Sequence, residues 1–144
     1  MASAGSLTKN NIIQKSKLLI VEGNHERDFF SAWLKWIGLD DIQVMPIGGK
    51  TKLPASLSAL VKQRMFLDGE VVSMVIVRDA DDNPAAAFQA VKDAVQSASL
   101  PTPSQAMLLT TTSPKTGLVI VPAADRRGAL EELRKGHGTL TILP

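Results

Sequence analysis

The chain has no cysteine, which excludes a disulfide framework, a thiolate zinc site and a cysteine nucleophile, and leaves oxygen or imidazole to hold any metal. Tyrosine is absent too, so no phenol is available as a covalent nucleophile. An excess of one charge is also lacking: 16 Lys and Arg stand against 14 Asp and Glu, and a net charge of +2 does not by itself mark a nucleic-acid binder. Long hydrophobic runs are missing as well. The longest aliphatic run near the start is Leu18 to Val21, far short of a signal-peptide core or a membrane span. These absences predict a cytoplasmic protein with no membrane association and a loose polar N-terminal arm over residues 1–16. With 144 residues, 44% of them hydrophobic and 21% charged, the rest of the chain reads as a single globular domain over residues 17–144.

Hydrophobic periodicity predicts strands and helices in alternation. Lys17 to Val21 is a short branched-aliphatic run closed by Glu22-Gly23, a strand buried on both faces. Asn24 is placed to cap a helix from His25 to Ile37, in which Phe29, Phe30, Trp33, Leu34, Trp36 and Ile37 recur at helical spacing before a terminating Gly38. A second strand, Ile42 to Ile47, stops at Gly48-Gly49, and apolar residues from Leu53 to Phe66 mark a second helix. Val71 to Val77 is the most β-prone segment, and Pro84 starts an alanine-rich helix, Ala85 to Ala98. Met107 to Thr111 and Leu118 to Val121 read as a hairpin or as separate strands, and Gly128 to Arg134 as a last short helix. Repeated strand-helix units imply an α/β fold: a parallel sheet of about four strands, helices on both faces, and room for an extra C-terminal hairpin strand. Ligands of such sheets gather at the carboxyl ends of the strands. Glu22, Gly48-Gly49-Lys50 and the Asp79 to Asn83 turn should therefore be neighbours.

Two acidic constellations fall on that edge. Glu22 leaves the first strand and Glu26 sits one helical turn on, so both carboxylates can face one pocket, although Glu26 also suits a helix start electrostatically. Asp79, Asp81 and Asp82 follow the third strand. In extended chain Asp79 and Asp81 project to one side, with α-carbons ~7 Å apart, within reach of one hard cation or a pair of them. Asp82 also suits the cap of the next helix. Gly48, Gly49 and Lys50 could offer amides and an ammonium to a phosphate, or form a simple tight turn. His25 reads as a solvated helix-start residue, His137 has no partner spacing, and Arg126-Arg127 suits a backbone phosphate or solvent equally.

Leu-Leu-Ile-Val-Glu-Gly at 18–23 with Glu26 and Phe29-Phe30, Pro46-Ile47-Gly48-Gly49-Lys50, and Val-Ile-Val-Arg-Asp-Ala-Asp at 75–81 together resemble a toprim domain, the Rossmann-like metal-binding module of topoisomerases, primases and OLD-type nucleases. The small stand-alone prokaryotic toprim-related proteins are most similar. The likeness runs from residue 17 to about 133, through Val121-Pro122 and Gly128 with Leu130-Glu131. It implies Glu22 in acid-base or metal chemistry, Asp79 and Asp81 on Mg2+ with Mn2+ able to substitute, and Glu26 as the second acid of a Glu-x-x-x-Glu pattern. Asp82 and Glu131 would stand one step out. The chain departs from the group in the Ala-Ala-Asp-Arg-Arg loop and in stopping soon after Glu132, so its C-terminal end reads as shortened. A haloacid-type phosphatase or a receiver domain would carry its aspartates after the first strand, and neither fits.

The expectation is Mg2+-dependent phosphodiester chemistry on nucleic acid or nucleotide, by a nuclease or nucleotidyl transferase, since clustered carboxylates suit an oxygen-seeking cation. Glu22 beside two aspartates is expected to have a raised proton affinity without metal. Strand passage is excluded by the missing tyrosine. The alternative is a toprim-like module that binds metal or nucleotide without turnover, favoured by the small charge excess and single-domain length.

Overall fold

The computed structural model describes residues 12–80 and 82–121, with Lys50 described by its backbone alone. The predicted helix over 128–134, Arg126-Arg127, Glu131 and Asp81 lie outside the described residues. Four strands, β1 (Lys17–Val21), β2 (Ile42–Pro46), β3 (Ser73–Asp79) and β4 (Lys115–Val121), form one sheet in the order β2-β1-β3-β4, and every pairing is parallel. Helix α1 (Asn24–Trp36) joins β1 to β2. Helices α2 (Leu53–Leu60) and α3 (Arg64–Leu67) lead from β2 to β3, and α4 (Pro84–Ser97) leads from β3 to β4. The fold is α/β, a four-stranded parallel sheet flanked by helices.

Strand alternation explains the two core layers, because successive side chains leave a strand on opposite faces. Leu18 and Ile20 of β1, Met74 and Ile76 of β3 and Leu118 of β4 pack with Leu53, Leu57 and Leu60 of α2 and Val91, Ala94 and Val95 of α4. The odd-numbered neighbours Leu19, Val21, Val75, Val77, Val119 and Val121 pack with Phe30, Trp33 and Leu34 of α1. With apolar side chains on both faces, the strands read as continuous aliphatic runs. Met107 and Leu109 also lie against the α1 layer. Their segment is neither a hairpin nor a separate strand: it touches β4 through Met107 N–H to the Leu118 carbonyl at 2.8 Å and Thr110 N–H to the Thr116 carbonyl at 3.0 Å.

Helix ends follow local rules with two departures from expectation. Asn24 is the first helical residue of α1; Gly23 precedes it as the N-cap and no side chain caps the helix. Asn83, not Asp82, caps α4, its side-chain oxygen accepting from Ala86 N–H at 3.0 Å, and Pro84 occupies the first turn where no amide partner is needed. Helix α1 ends as predicted at Gly38, φ +83°, where Leu39 N–H reaches the Leu34 carbonyl at 2.9 Å and Gly38 N–H the Lys35 carbonyl at 3.1 Å, the Schellman pattern. Helix α4 closes in the same way, with Leu100 N–H on the Val95 carbonyl at 3.1 Å and Ser99 N–H on the Gln96 carbonyl at 2.9 Å. There, however, Ser99 holds the left-handed position at φ +61°. Since this conformation costs an L-residue roughly 1–2 kcal/mol that glycine avoids, Ser99→Gly is expected to raise unfolding stability by about 0.5–1 kcal/mol in urea titration. An unchanged or lowered midpoint would show that Ser99 contributes more than its backbone.

Candidate active site at the carboxyl edge of the sheet

The strand order fixes where a site can form. The chain leaves β1 for β2 on one side and returns to place β3 on the other, so the connections diverge between β1 and β3, and a crevice opens beyond their carboxyl ends. In register, Ile20 of β1 lies beside Ile76 of β3, and two residues further on Glu22 comes level with Arg78. The Oε2 atom of Glu22 and Nε of Arg78 are 3.7 Å apart, and both side chains are largely buried. On the other side of β1, the Ile47 and Gly49 amides donate to the Val21 and Glu22 carbonyls at 2.9 and 2.8 Å. On the far side of β3, Ala80 N–H donates to the Val121 carbonyl at 2.7 Å. Glu22, the Gly48-Gly49 turn and the start of the acidic turn are therefore stitched into one rim, as the sequence predicts.

Alternation then separates the acids. Arg78 follows Met74 and Ile76 onto the α2 and α4 side, where it lines a cavity of about 250 Å3 with Thr51, Leu53, Pro54 and Ala90. Asp79 follows Val75 and Val77 toward the side covered by α1. Glu26 sits in the first turn of α1, and its Oε1 folds back across Gly23, where even a methyl group on Gly23 would come within 3.3 Å of it. The carboxylates thus stand around the crevice on both sides of the sheet edge. Among the described residues, no three Asp, Glu or His side chains form a ready group for a metal. Asp82 is exposed, and so is His25.

Two features of this geometry bear on the expected roles. The Gly49 amide is spent on the Glu22 carbonyl, so it cannot also cradle a phosphate. Gly48 and Gly49 have φ of +83° and +122°, values that only glycine adopts readily, and what this turn does is hold the end of β1 against the end of β2. Beside Glu22 the fold also sets a cation, the Arg78 guanidinium, with Nε 3.7 Å from Glu22 Oε2. Arg78 is the residue that sequence reasoning missed. Its signal was available in the even-numbered parity of β3, which aligns it with Glu22 once the strand is extended past Val77.

Two larger depressions lie away from this rim. One of about 420 Å3 runs along the outer edge of β2, lined among others by Lys15, Lys35 and Asp40, and one of about 360 Å3 follows Phe29, Ala32, Trp33 and Trp36 of α1. Neither is lined by Glu22, Arg78 or Asp79.

Comparison with known families gives one match, to the model of a protein of unknown function (DUF3226) over residues 16–136, which takes in the whole sheet and every residue of the rim. The chain belongs to the DUF3226 family. No curated protein and no solved structure matches it. No helix among the described residues is long and apolar enough to cross a membrane.

Proposed function

We propose that this DUF3226 member performs Mg2+-dependent phosphodiester chemistry on nucleic acid or nucleotides in the cytoplasm, as a nuclease or nucleotidyl transferase with a toprim-type acidic site. The observation that carries the reading is the register of β1 and β3, which sets Glu22 beside the Arg78-Asp79 end of β3 at the sheet's topological switch. The resemblance of residues 18–26 and 75–81 to toprim domains supports the same assignment.

The donor set around the crevice is carboxylate oxygen, with no thiolate in the chain, and it fits a hard divalent cation in its chemistry. Glu22, Glu26 and Asp79, with Asp81 from the sequence, are the residues that would hold it. When bound, such an ion polarises a phosphoryl oxygen and lowers the proton affinity of water. The chain's own contribution is positional. The Gly49 amide fixes the backbone of Glu22, the fold of Glu26 over Gly23 keeps a second carboxylate at the end of β1, and Arg78 balances the charge of Glu22. Glu22 is the group suited to move a proton at the attacking or leaving oxygen.

The test combines turnover and binding. Incubation with plasmid, single-stranded DNA and RNA should give cleavage with Mg2+ or Mn2+ and none with chelator. In calorimetry, Asp79→Ala should weaken Mn2+ at least about 10-fold, the effect of losing a ligand carboxylate that water replaces poorly. The metal-free Asp79→Ala protein should be no less stable than wild type, because like-charge repulsion is relieved. Unchanged metal affinity in Asp79→Ala and Asp81→Ala alike would sink the assignment. The Arg78–Glu22 pair favours one second reading, a module that binds an anionic ligand without turnover; absence of cleavage on every substrate with both metals would select it.

A further inference from the structure

We infer that the cavity beside Arg78, on the α2 and α4 side of the sheet edge, is a phosphate-binding site that takes a single nucleotide phosphate, with the Arg78 guanidinium as its anion ligand. The Arg78 side chain is only 15% exposed, and its Nε is buried yet donates no hydrogen bond. The Glu22 oxygen at 3.7 Å is an electrostatic neighbour beyond hydrogen-bonding distance. A buried donor left unmade is costly, and a guanidinium has five donors in a planar fork that matches phosphate oxygens. The guanidinium thus lines the cavity with one of its donors, Nε, lacking an acceptor.

The cavity next to it has the shape and lining for that acceptor. Thr51, on the turn Lys50–Lys52, lines the same space, and Leu53, Pro54 and Ala90 form apolar walls. At about 250 Å3 the volume is below the usual range of roughly 300–1,000 Å3 for drug-sized ligands. It suits one phosphate with its sugar laid on the apolar wall, and is small against a stretch of duplex. The favoured substrate is accordingly a mononucleotide or an unpaired strand, whose phosphate is held on the α2 and α4 side of the β3 end while the acids stand around the crevice. As a substrate contact the site rests on the phosphodiester reading; as an anion site it can be measured with neither metal nor turnover.

Because Glu22 and the phosphate share one cation, they compete. This gives the inference a signature that a merely structural arginine would lack: Glu22→Gln, which removes the competing charge, should tighten phosphate. The experiment is titration of the full chain with inorganic phosphate and with a 5′-nucleoside monophosphate in chelator, followed by amide chemical shifts at Thr51 and Ala90. Wild type should show saturable shifts at both, with the monophosphate bound more tightly than inorganic phosphate. Arg78→Gln should weaken binding by at least about 10-fold, the loss of charge-assisted hydrogen bonds. Arg78→Lys, which keeps the charge and loses the fork, should fall between, and Glu22→Gln should bind a few-fold more tightly. No shift at Thr51 and Ala90 in folded wild type, equal binding by Arg78→Gln, or weaker binding by Glu22→Gln would each overturn the site. Phosphate binding as described without cleavage on any substrate would leave this site standing and remove the phosphodiester reading. Cleavage with a KM and phosphate shifts indifferent to Arg78→Gln would do the reverse.

Discussion

Glu22→Gln is expected to lower metal-dependent cleavage by about 10²–10⁴-fold, the usual contribution of a positioned general acid or base, while the protein remains folded and still binds Mn2+. The substitution keeps the size of the side chain and its oxygen, and removes the ability to carry a proton. Folding should tolerate it at some cost in stability, since the Gly49 amide bonds to the backbone carbonyl of Glu22 and is indifferent to the side chain, while Arg78 loses the charge beside it. The measurement is a single-turnover rate on the best nucleic-acid substrate, with metal affinity and urea denaturation run in parallel. Wild-type rates in Glu22→Gln would remove Glu22 from proton transfer and leave it at most a metal ligand. Loss of both metal binding and cleavage would assign it to coordination alone.

The second large effect concerns stability. Phe30 is 0% exposed at the centre of the α1 layer, edge-on to Phe29 at 5.1 Å and to Trp33 at 6.0 Å between ring centroids. Phe30→Ala should cost about 3–5 kcal/mol, combining lost burial with the cavity left behind. Against a total of about 5–15 kcal/mol for a typical domain, that is enough to populate the unfolded state in mild urea. Trp36 lies on the same helix but is 71% exposed, and Trp36→Ala should stay within about 0.5 kcal/mol of wild type. Comparable losses from both would mean that the outer face of α1 is covered in solution.

Most of the fold could be read from periodicity because the parallel sheet is buried on both faces and its strands stand out as aliphatic runs. What failed was what depends on distant chain. The predicted third strand stopped at Val77, since Arg78-Asp79 reads locally as a polar turn. In the fold β3 runs to Asp79, because β4 pairs with it as far as Asp79 opposite Val121. The predicted helix from Leu53 to Phe66 is interrupted between Leu60 and Arg64, and Gln63 there accepts from the Ile13 amide at 2.8 Å, a contact across 50 residues that no local pattern reveals. For the site, the location of Glu22 and the acidic turn followed from the strand-end rule. Arg78 was lost with the misplaced end of β3, since a residue assigned to a turn carries no face.

Both tryptophans of the chain ride on α1, and there is no tyrosine. One indole is enclosed, that of Trp33, and one is open to water, that of Trp36. The ultraviolet emission of the protein is therefore the sum of a shielded and a solvated chromophore less than one helical turn apart. A soluble quencher reaches the second and spares the first for as long as α1 stays seated on the sheet. Intrinsic fluorescence in this protein reports on the helix that carries Glu26, with no label attached.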